Sequence, residues 1–444
     1  MSLPLLRTRI PGPRSRTLAR QLRRVESRNI TFVSDRWPIF WQRARGANVW
    51  DADGNRYLDL TAAFGVASVG HNNPRVVAAI RNKTGTLLHA MGDVHPNELK
   101  LQLARELVAL TFGRWCSSVS VKRSSPSALR RSAATSPARV LFANTGAEAV
   151  EAALKTAAIH TGKTGVIAFR GGYHGLTYGA LAATSREFFR APFAGQIGKF
   201  VTHLPFGQIP SVGRAVPARR STTSDGRLGQ PSLPQIVSNC GAVLVEPIQG
   251  RGGILVPPDD FLPGLRRFCD EHGMLLILDE IYTGFCRTGR WFACEHWGVV
   301  PDLICVGKAL GGGLPVSACV GKASVMDSWP ESRGEAIHTS TFLGNPLACA
   351  AALASLAEMR RLKLDSRAAE LGAHVASRLP VRGKGLMLGL EVGDAPSLCE
   401  RLLRRGIIAI PEGERGEVLG LTPPLTMTRR ELDFCLDVIA ELLP

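Results

Sequence analysis

The chain has 444 residues, with 54 Lys+Arg against 37 Asp+Glu and a formal net charge of +17. With 45% hydrophobic and 20% charged residues the composition is that of a folded globular protein rather than a disordered chain. The length suits roughly two to three domains and a core that needs no disulfide or metal staple. The positive excess invites a nucleic-acid or membrane-surface role, a reading that holds only if the charge is spread along a binding face. No apolar run approaches the roughly 18 residues of a membrane span. The ten cysteines are scattered, with no C-x-x-C pair and no zinc-ligand spacing, so neither a metal site nor a disulfide framework is expected. Reduced thiols and a cytoplasmic location are the expectation. The Arg-rich N-terminus lacks the apolar stretch of a secretory signal and leaves a mitochondrial transit peptide as the alternative.

Residues 1–46 are basic and polar and read as a loop or arm. Residues 48–60 read as a hairpin turning at Asp53-Gly54. Helical periodicity follows over 71–86 and 98–110. A short buried strand at 140–143 precedes a helix at 146–160. Four-residue apolar runs at 166–169, 242–245, 275–278 and 303–306 read as buried strands, with helical segments such as 260–271 between some of them. Strands alternating with helices predict an α/β domain on a mostly parallel sheet. From Pro346 the pattern changes to a long Ala-rich helix (347–361), short strands near 387–391 and 406–410, and a last helix over 429–443. These features divide the chain into an N-terminal arm and hairpin (1–61), a large domain (62–335) and a smaller α+β domain (336–444) that the hairpin joins. Stretches 114–139 and 211–234 are rich in Ser and Arg and read as exposed inserts.

Three signals carry chemistry. The run Leu275-Leu276-Ile277-Leu278-Asp279-Glu280 delivers an acid to the end of a strand, where open α/β sheets bind ligands; alone, such an acid also serves as a helix cap. Leu303-Ile304-Cys305-Val306-Gly307-Lys308 delivers a lysine, followed by a glycine run ending at Gly313. Apolar neighbours favour a lowered pKa and Schiff-base chemistry. Asn144-Thr145-Gly146-Ala147 opens a helix whose free N–H groups suit a phosphate. An anion cradle, an acid and a lysine at three strand ends are what pyridoxal 5'-phosphate (PLP) needs. The lysine would form the imine and the acid would keep the pyridine nitrogen protonated, so that the ring serves as an electron sink.

The sequence also resembles the class III (ω-amino acid) aminotransferases of the fold-type I PLP enzymes, which include acetylornithine, ornithine and 4-aminobutyrate aminotransferases. The resemblance runs from about residue 11 to the C-terminus, the two basic stretches excepted. It rests on Gly-Asn-Arg-Tyr-Leu-Asp-Leu at 54–60, Gly-His-Asn-Asn-Pro at 70–74, Asn-Thr-Gly-Ala-Glu-Ala at 144–149 and Gly-Tyr-His-Gly at 172–175. Val-Glu-Pro-Ile-Gln-Gly at 245–250, Leu-Asp-Glu-Ile-Tyr-Thr-Gly-Phe at 278–285, Gly-Lys-Ala-Leu-Gly-Gly-Gly at 307–313 and Ser-Thr-Phe-Leu-Gly-Asn-Pro-Leu-Ala at 340–348 complete it.

By that resemblance Lys308 is the Schiff-base lysine and proton shuttle, and Asp279 the partner of the pyridine nitrogen. Thr145, Gly146 and Ala147 would surround the phosphate, and Tyr173 and Ile281 would flank the ring. Glu246 would lie near the cofactor. Tyr282 stands where many relatives place a glutamine on the ring hydroxyl, and a phenol supplies the same kind of contact. Thr341 matches a threonine that reaches the phosphate of the neighbouring subunit, which implies a homodimer. The implied reaction is transamination from an amine or amino acid to a 2-oxo acid such as 2-oxoglutarate or pyruvate. The alternatives are an aminomutase or decarboxylase of the same fold, or a catalytically silent homologue with a basic surface.

Three positions depart from the family pattern. Leu176 replaces an arginine that often grips a substrate carboxylate. Arg251 and Gly420 replace a glutamate and an arginine that pair in ornithine-type relatives, which argues against an ornithine-type specificity. Arg251 becomes the candidate carboxylate ligand, since a guanidinium suits bidentate recognition. The charge also has an address. Residues 1–24 carry seven Arg and no acid, 114–139 six Lys+Arg and no acid, and 211–234 four Arg and one Asp, which leaves the rest of the chain at +1. No nucleic-acid or membrane partner is therefore expected.

Overall fold

The computed structural model describes residues 2–34, 36–116, 136–210 and 237–443. The expected insert at 211–234, and all but the ends of that at 114–139, lie outside the described residues.

Three sheets organise the chain. The first contains β1 (Trp41–Arg45), β2 (Asn48–Asp51) and β3 (Arg56–Asp59). The expected hairpin is β2–β3, antiparallel with Val49 opposite Tyr57. Its turn is held by Asp51, whose Oδ1 accepts from the backbone N–H groups of Asp53 and Asn55 at 3.0 and 2.8 Å.

The arm is more ordered than its composition suggests. Residues Pro13–Val25 form a helix, with Pro13 in the first turn, where its missing N–H costs nothing. The cap comes from far along the chain. Asp53 accepts from Arg14 N (2.7 Å), Ser15 N (2.9 Å) and Ser15 Oγ (2.7 Å). A carboxylate on the first N–H groups offsets the helix dipole that five arginines in the helix do not oppose at that end.

The central sheet has seven strands: β4 (Ala138–Ala143), β5 (Gly165–Phe169), β6 (Val201–Leu204), β7 (Cys240–Val245), β8 (Leu275–Asp279), β9 (Leu303–Val306) and β10 (Ser317–Lys322). Their spatial order is β4-β10-β9-β8-β7-β5-β6. All pairings are parallel except those of β10, which runs antiparallel to both neighbours. Both faces are covered, and alternate residues feed different cores, as the pleat requires. Ala242 and Leu244 pack toward the helix Gly146–Thr161. Val243 and Val245 join a larger core shared with the helices Glu98–Val108, Phe261–His272 and Pro346–Arg361.

The third sheet, β11 (Val381–Lys384), β12 (Met387–Glu391), β14 (Ile410–Glu412) and β15 (Val418–Leu421), has the order β11-β12-β15-β14. The strand expected at 406–410 is instead split. β13 (Ile407–Ile408) pairs in parallel with β3, while β14 leaves for the third sheet. The chain changes sheets at Ala409, so one apolar run serves two neighbours.

Candidate active site

In the central sheet β4, β5, β7, β8 and β9 point the same way, so their C-terminal ends share one edge. Each delivers a side chain or turn to that edge: Thr145-Gly146-Ala147 after β4, Tyr173 and His174 after β5, Glu246 after β7, Asp279 at the end of β8, and Lys308 after β9. A cavity of about 530 Å³ opens there, lined by all of these together with Arg251, Ile281 and Tyr282. Of the residues named from sequence, only Thr341 is elsewhere, on an exposed stretch.

The helix Gly146–Thr161 starts with Thr145 as its cap, the Thr145 Oγ1 accepting from Glu148 N at 3.3 Å. The N–H groups of Gly146 and Ala147 open the helix and have no intrahelical acceptor. Glycine at 146 lets Ile281 pack closely on the turn, since a Cβ there would lie 2.8 Å from Ile281 Cδ1. Ser317 Oγ donates to the Thr145 carbonyl at 2.5 Å and ties the antiparallel strand to the turn.

Asp279 is buried. Its Oδ1 accepts from Ile281 N at 3.1 Å, and its Oδ2 meets His174 Nδ1 at 2.8 Å. Burial disfavours charge on His174, but the hydrogen bond to Asp279 and the negative charges of Asp279 and Glu246 outweigh it and raise the imidazole's pKa. Sequence reading left His174 unassigned. Its partner lies 105 positions away, and no local spacing signals that contact.

Glu246 accepts from Tyr173 N at 2.9 Å and Gly250 N at 3.0 Å. Burial lifts its carboxyl to about 7, the nearby Asp279 charge adding to the lift and His174 opposing it. Tyr282 is wedged between two glycines: a Cβ at Gly65 would lie 2.8 Å, and one at Gly250 2.5 Å, from its ring. Its hydroxyl shares a hydrogen bond of 3.1 Å with Thr422 Oγ1, so the ring rather than the hydroxyl faces Lys308. Lys308 Nζ sits 4.5 Å from that ring's centroid and has no hydrogen-bond acceptor among the described residues. Burial lowers the Lys308 pKa, and Arg251 adds to this, although Asp279, Glu246 and Glu412 oppose it. A less protonated amine is the better nucleophile and base.

Arg251 was read as standing where ornithine-type relatives place the glutamate of a glutamate–arginine pair, and sequence reading gave it no acidic partner. The structure supplies one from another strand. Arg251 Nη1 lies 3.4 Å from Glu412 Oε2 at the end of β14, a residue that sequence reading missed.

The family model described as "Aminotransferase class-III" matches residues 32–443. The chain belongs to the class-III aminotransferases. It is 37% identical over 418 residues to an acetylornithine aminotransferase of Methanopyrus kandleri, covering 92% of this chain and 95% of the relative. It is 37% identical over 437 residues to a putrescine aminotransferase of Pectobacterium atrosepticum, covering 93% and 83%. An amine transaminase structure from an uncultivated Pseudomonas species, in its PLP-bound form, matches with a TM-score of 0.75 at 28% identity, covering 94% of this chain and 97% of that one. This class-III aminotransferase is therefore PLP-dependent and transfers an amino group from a donor to a 2-oxo acid.

The residues present fit that cofactor. A buried lysine without an acceptor, aimed into a cavity, is costly for a structural residue and apt for one that bonds a carbonyl carbon. The two unpaired N–H groups of the helix start fit a phosphate, and the cavity-facing Asp279 fits a protonated ring nitrogen. Bound there, PLP supplies an electron sink for the carbon that carries the amine. No helix among the described residues is long and apolar enough to cross a membrane.

Proposed function

We propose that the donors are ω-amino compounds carrying a carboxylate at the far end from the reacting amine, with 2-oxoglutarate or pyruvate as acceptor. Lys308 Nζ takes the proton from the amine-bearing carbon of the donor. Asp279, oriented by His174, holds the cofactor's ring nitrogen, and Thr145, Gly146 and Ala147 hold its phosphate. Tyr173 and Ile281 bound the ring, with Glu246 and Tyr282 closing the site beside it. Arg251 binds the distal carboxylate. The observation that carries this reading is the position of Arg251. It lines the cavity that holds Lys308, its side chain is 32% exposed, and its only ion-pair partner among the described residues is the 3.4 Å contact to Glu412.

A donor panel tests the reading. Arg251→Ala should raise KM roughly tenfold or more for 4-aminobutyrate, ornithine and β-alanine, consistent with losing a charge-assisted contact. Putrescine and butylamine should change little. An equal change across all donors overturns it.

The same proposal places the enzyme in the cytoplasm as a homodimer. The dimer is supported by an exposed apolar surface on two linked stretches. Asn345 Nδ2 bonds the Leu88 carbonyl at 3.1 Å, and the Phe342 and His89 rings meet edge to face. Thr341 lies on this surface, where it would reach the phosphate in the partner's site. The division into an arm with hairpin (1–61), a large domain (62–335) and a small domain (336–444) is supported by the β3–β13 pairing, which joins the hairpin to the C-terminal part of the chain.

A further inference from the structure

Glu412 stands out among the buried acids as the one whose partner is a side chain assigned to substrate. Its side chain is 1% exposed, and Arg251 Nη1, at 3.4 Å, is its carboxylate's one hydrogen-bond partner among the described residues. The other buried acids of the region are satisfied by fixed groups. Glu246 has two backbone N–H donors, and Glu280 has Thr283 Oγ1 and the N–H groups of Ala293 and Cys294. Room for Glu412 is made across the sheet by Gly420, where a Cβ would lie 2.9 Å from Glu412 Cγ. The backbone ties the pair together as well, Gly413 N donating to the Arg251 carbonyl at 3.1 Å.

We infer that Glu412 is a specificity-determining residue that competes with the substrate carboxylate for Arg251 and takes up a proton from solvent when the substrate wins. The inference rests on the reading of Arg251 as the carboxylate ligand. The physical reason is the cost of a buried charge. With Arg251 engaged elsewhere, an ionised Glu412 has lost its hydrogen bond while shut off from water, and protonation is the cheaper state. Burial already holds its carboxyl at about 7 while the pair is intact, with Arg251 and Lys308 pulling it down and Glu246 pushing it up. The charged and titratable groups around it are Arg251, Glu246, Lys308, Tyr282 and, on the helix Ala395–Leu403, Cys399. Burial lifts the Tyr282 phenol, and lifts the Cys399 thiol to about 12, so neither titrates near neutrality. Glu246 is the one other acid of the group near 7.

The sign follows. Below about 7 Glu412 is protonated in both states and does not compete. Above it, binding a carboxylate requires proton uptake, so affinity for carboxylate donors falls as pH rises. Donors without a carboxylate leave the pair intact and carry no such term.

The test is the ratio of kcat/KM for 4-aminobutyrate over butylamine from pH 6 to 9, on the PLP-loaded enzyme. The shared amine chemistry cancels in this ratio. In the wild type it should be flat at the acid end and fall several-fold above neutrality. Glu412→Gln should flatten it and raise its value at pH 9, because Arg251 is then free. Glu412→Asp, which retains a titrating group, should preserve the fall with a shifted midpoint and controls for folding. A Glu412→Gln profile that still falls like the wild type assigns the titration to Glu246 or Lys308 and overturns the inference. A selective Arg251→Ala defect would still leave the carboxylate reading standing. If Arg251→Ala affects all donors equally, the carboxylate reading itself fails.

Discussion

At the residue scale the site is a set of side chains whose states are fixed by one another. Asp279 accepts from His174 Nδ1 and Ile281 N, which fixes its rotamer before any ligand arrives. The ionised carboxylate can only accept, so His174 presents its Nδ1–H to that bond, and the imidazole acts as a positioning residue. Replacing it removes a hydrogen bond to a charged group, an effect of roughly 1.5–3 kcal/mol, which corresponds to about a 10- to 100-fold change in an equilibrium constant. His174→Phe should therefore weaken PLP binding by that factor in a cofactor titration. His174→Asn, which keeps an N–H donor, should recover part of the loss. Unchanged cofactor affinity in His174→Phe would show that Asp279 is held by Ile281 N alone.

At the element scale, what converges is a set of strand ends, and what keeps them in place is the loop beyond β8. There Arg287 is fully buried and bridges three segments, Nη1 donating to the carbonyls of Leu386 and Pro423 at 3.0 and 2.6 Å and Nη2 to Ser68 Oγ at 2.9 Å. Burial lowers its pKa to about 10, which leaves it charged at neutral pH. Arg287→Met keeps much of the volume but orphans the two carbonyls and takes a donor from Ser68 Oγ, and should lower unfolding stability by about 2–4 kcal/mol in denaturant titrations. A loss under about 1 kcal/mol would mean that water reaches those groups. The same scale explains what sequence could show. β7, β8 and β9 were legible because a parallel strand buried on both faces is a short, uninterrupted apolar run. Lys308, Asp279 and the Thr145 turn were legible because each follows its strand directly. Not legible were the edge strand β6, half-buried throughout, and β10, whose Ser317 and Gly321 break its apolar run. The helix Pro13–Val25 was hidden because its cap, Asp53, lies 38 or 39 positions away. The pairings His174–Asp279 and Arg251–Glu412 were invisible for the same reason, since they exist only once distant strands are adjacent.

At the scale of the whole molecule, the basic charge and the apolar surface around Phe342 lie on different segments. The one strongly basic segment among the described residues is the helix Pro13–Val25, so the net +17 does not describe the walls of the site. One exposed apolar group is Leu88, Met91, Val94, Ile337 and Phe342, between 55% and 69% exposed on two stretches that bond to each other. Such a patch on a monomer would be a solubility liability unless something covers it. Thr341 adjoins Phe342 within it, and on the proposed function the protomer that covers the patch gains Thr341 at its phosphate cradle. Association and catalysis should then fail together. On the proposed dimer, Phe342→Lys would place a charge within that contact. It should convert a dimer into a monomer in sedimentation velocity, while the far-ultraviolet circular dichroism is retained. Transaminase activity should fall at least tenfold, because truncating an aromatic anchor of an interface costs about 2 kcal/mol or more. Added PLP in excess should restore part of that activity if the missing contribution is to the phosphate. A monomeric Phe342→Lys protein with full activity would instead establish that one protomer completes the site, and would remove Thr341 from it.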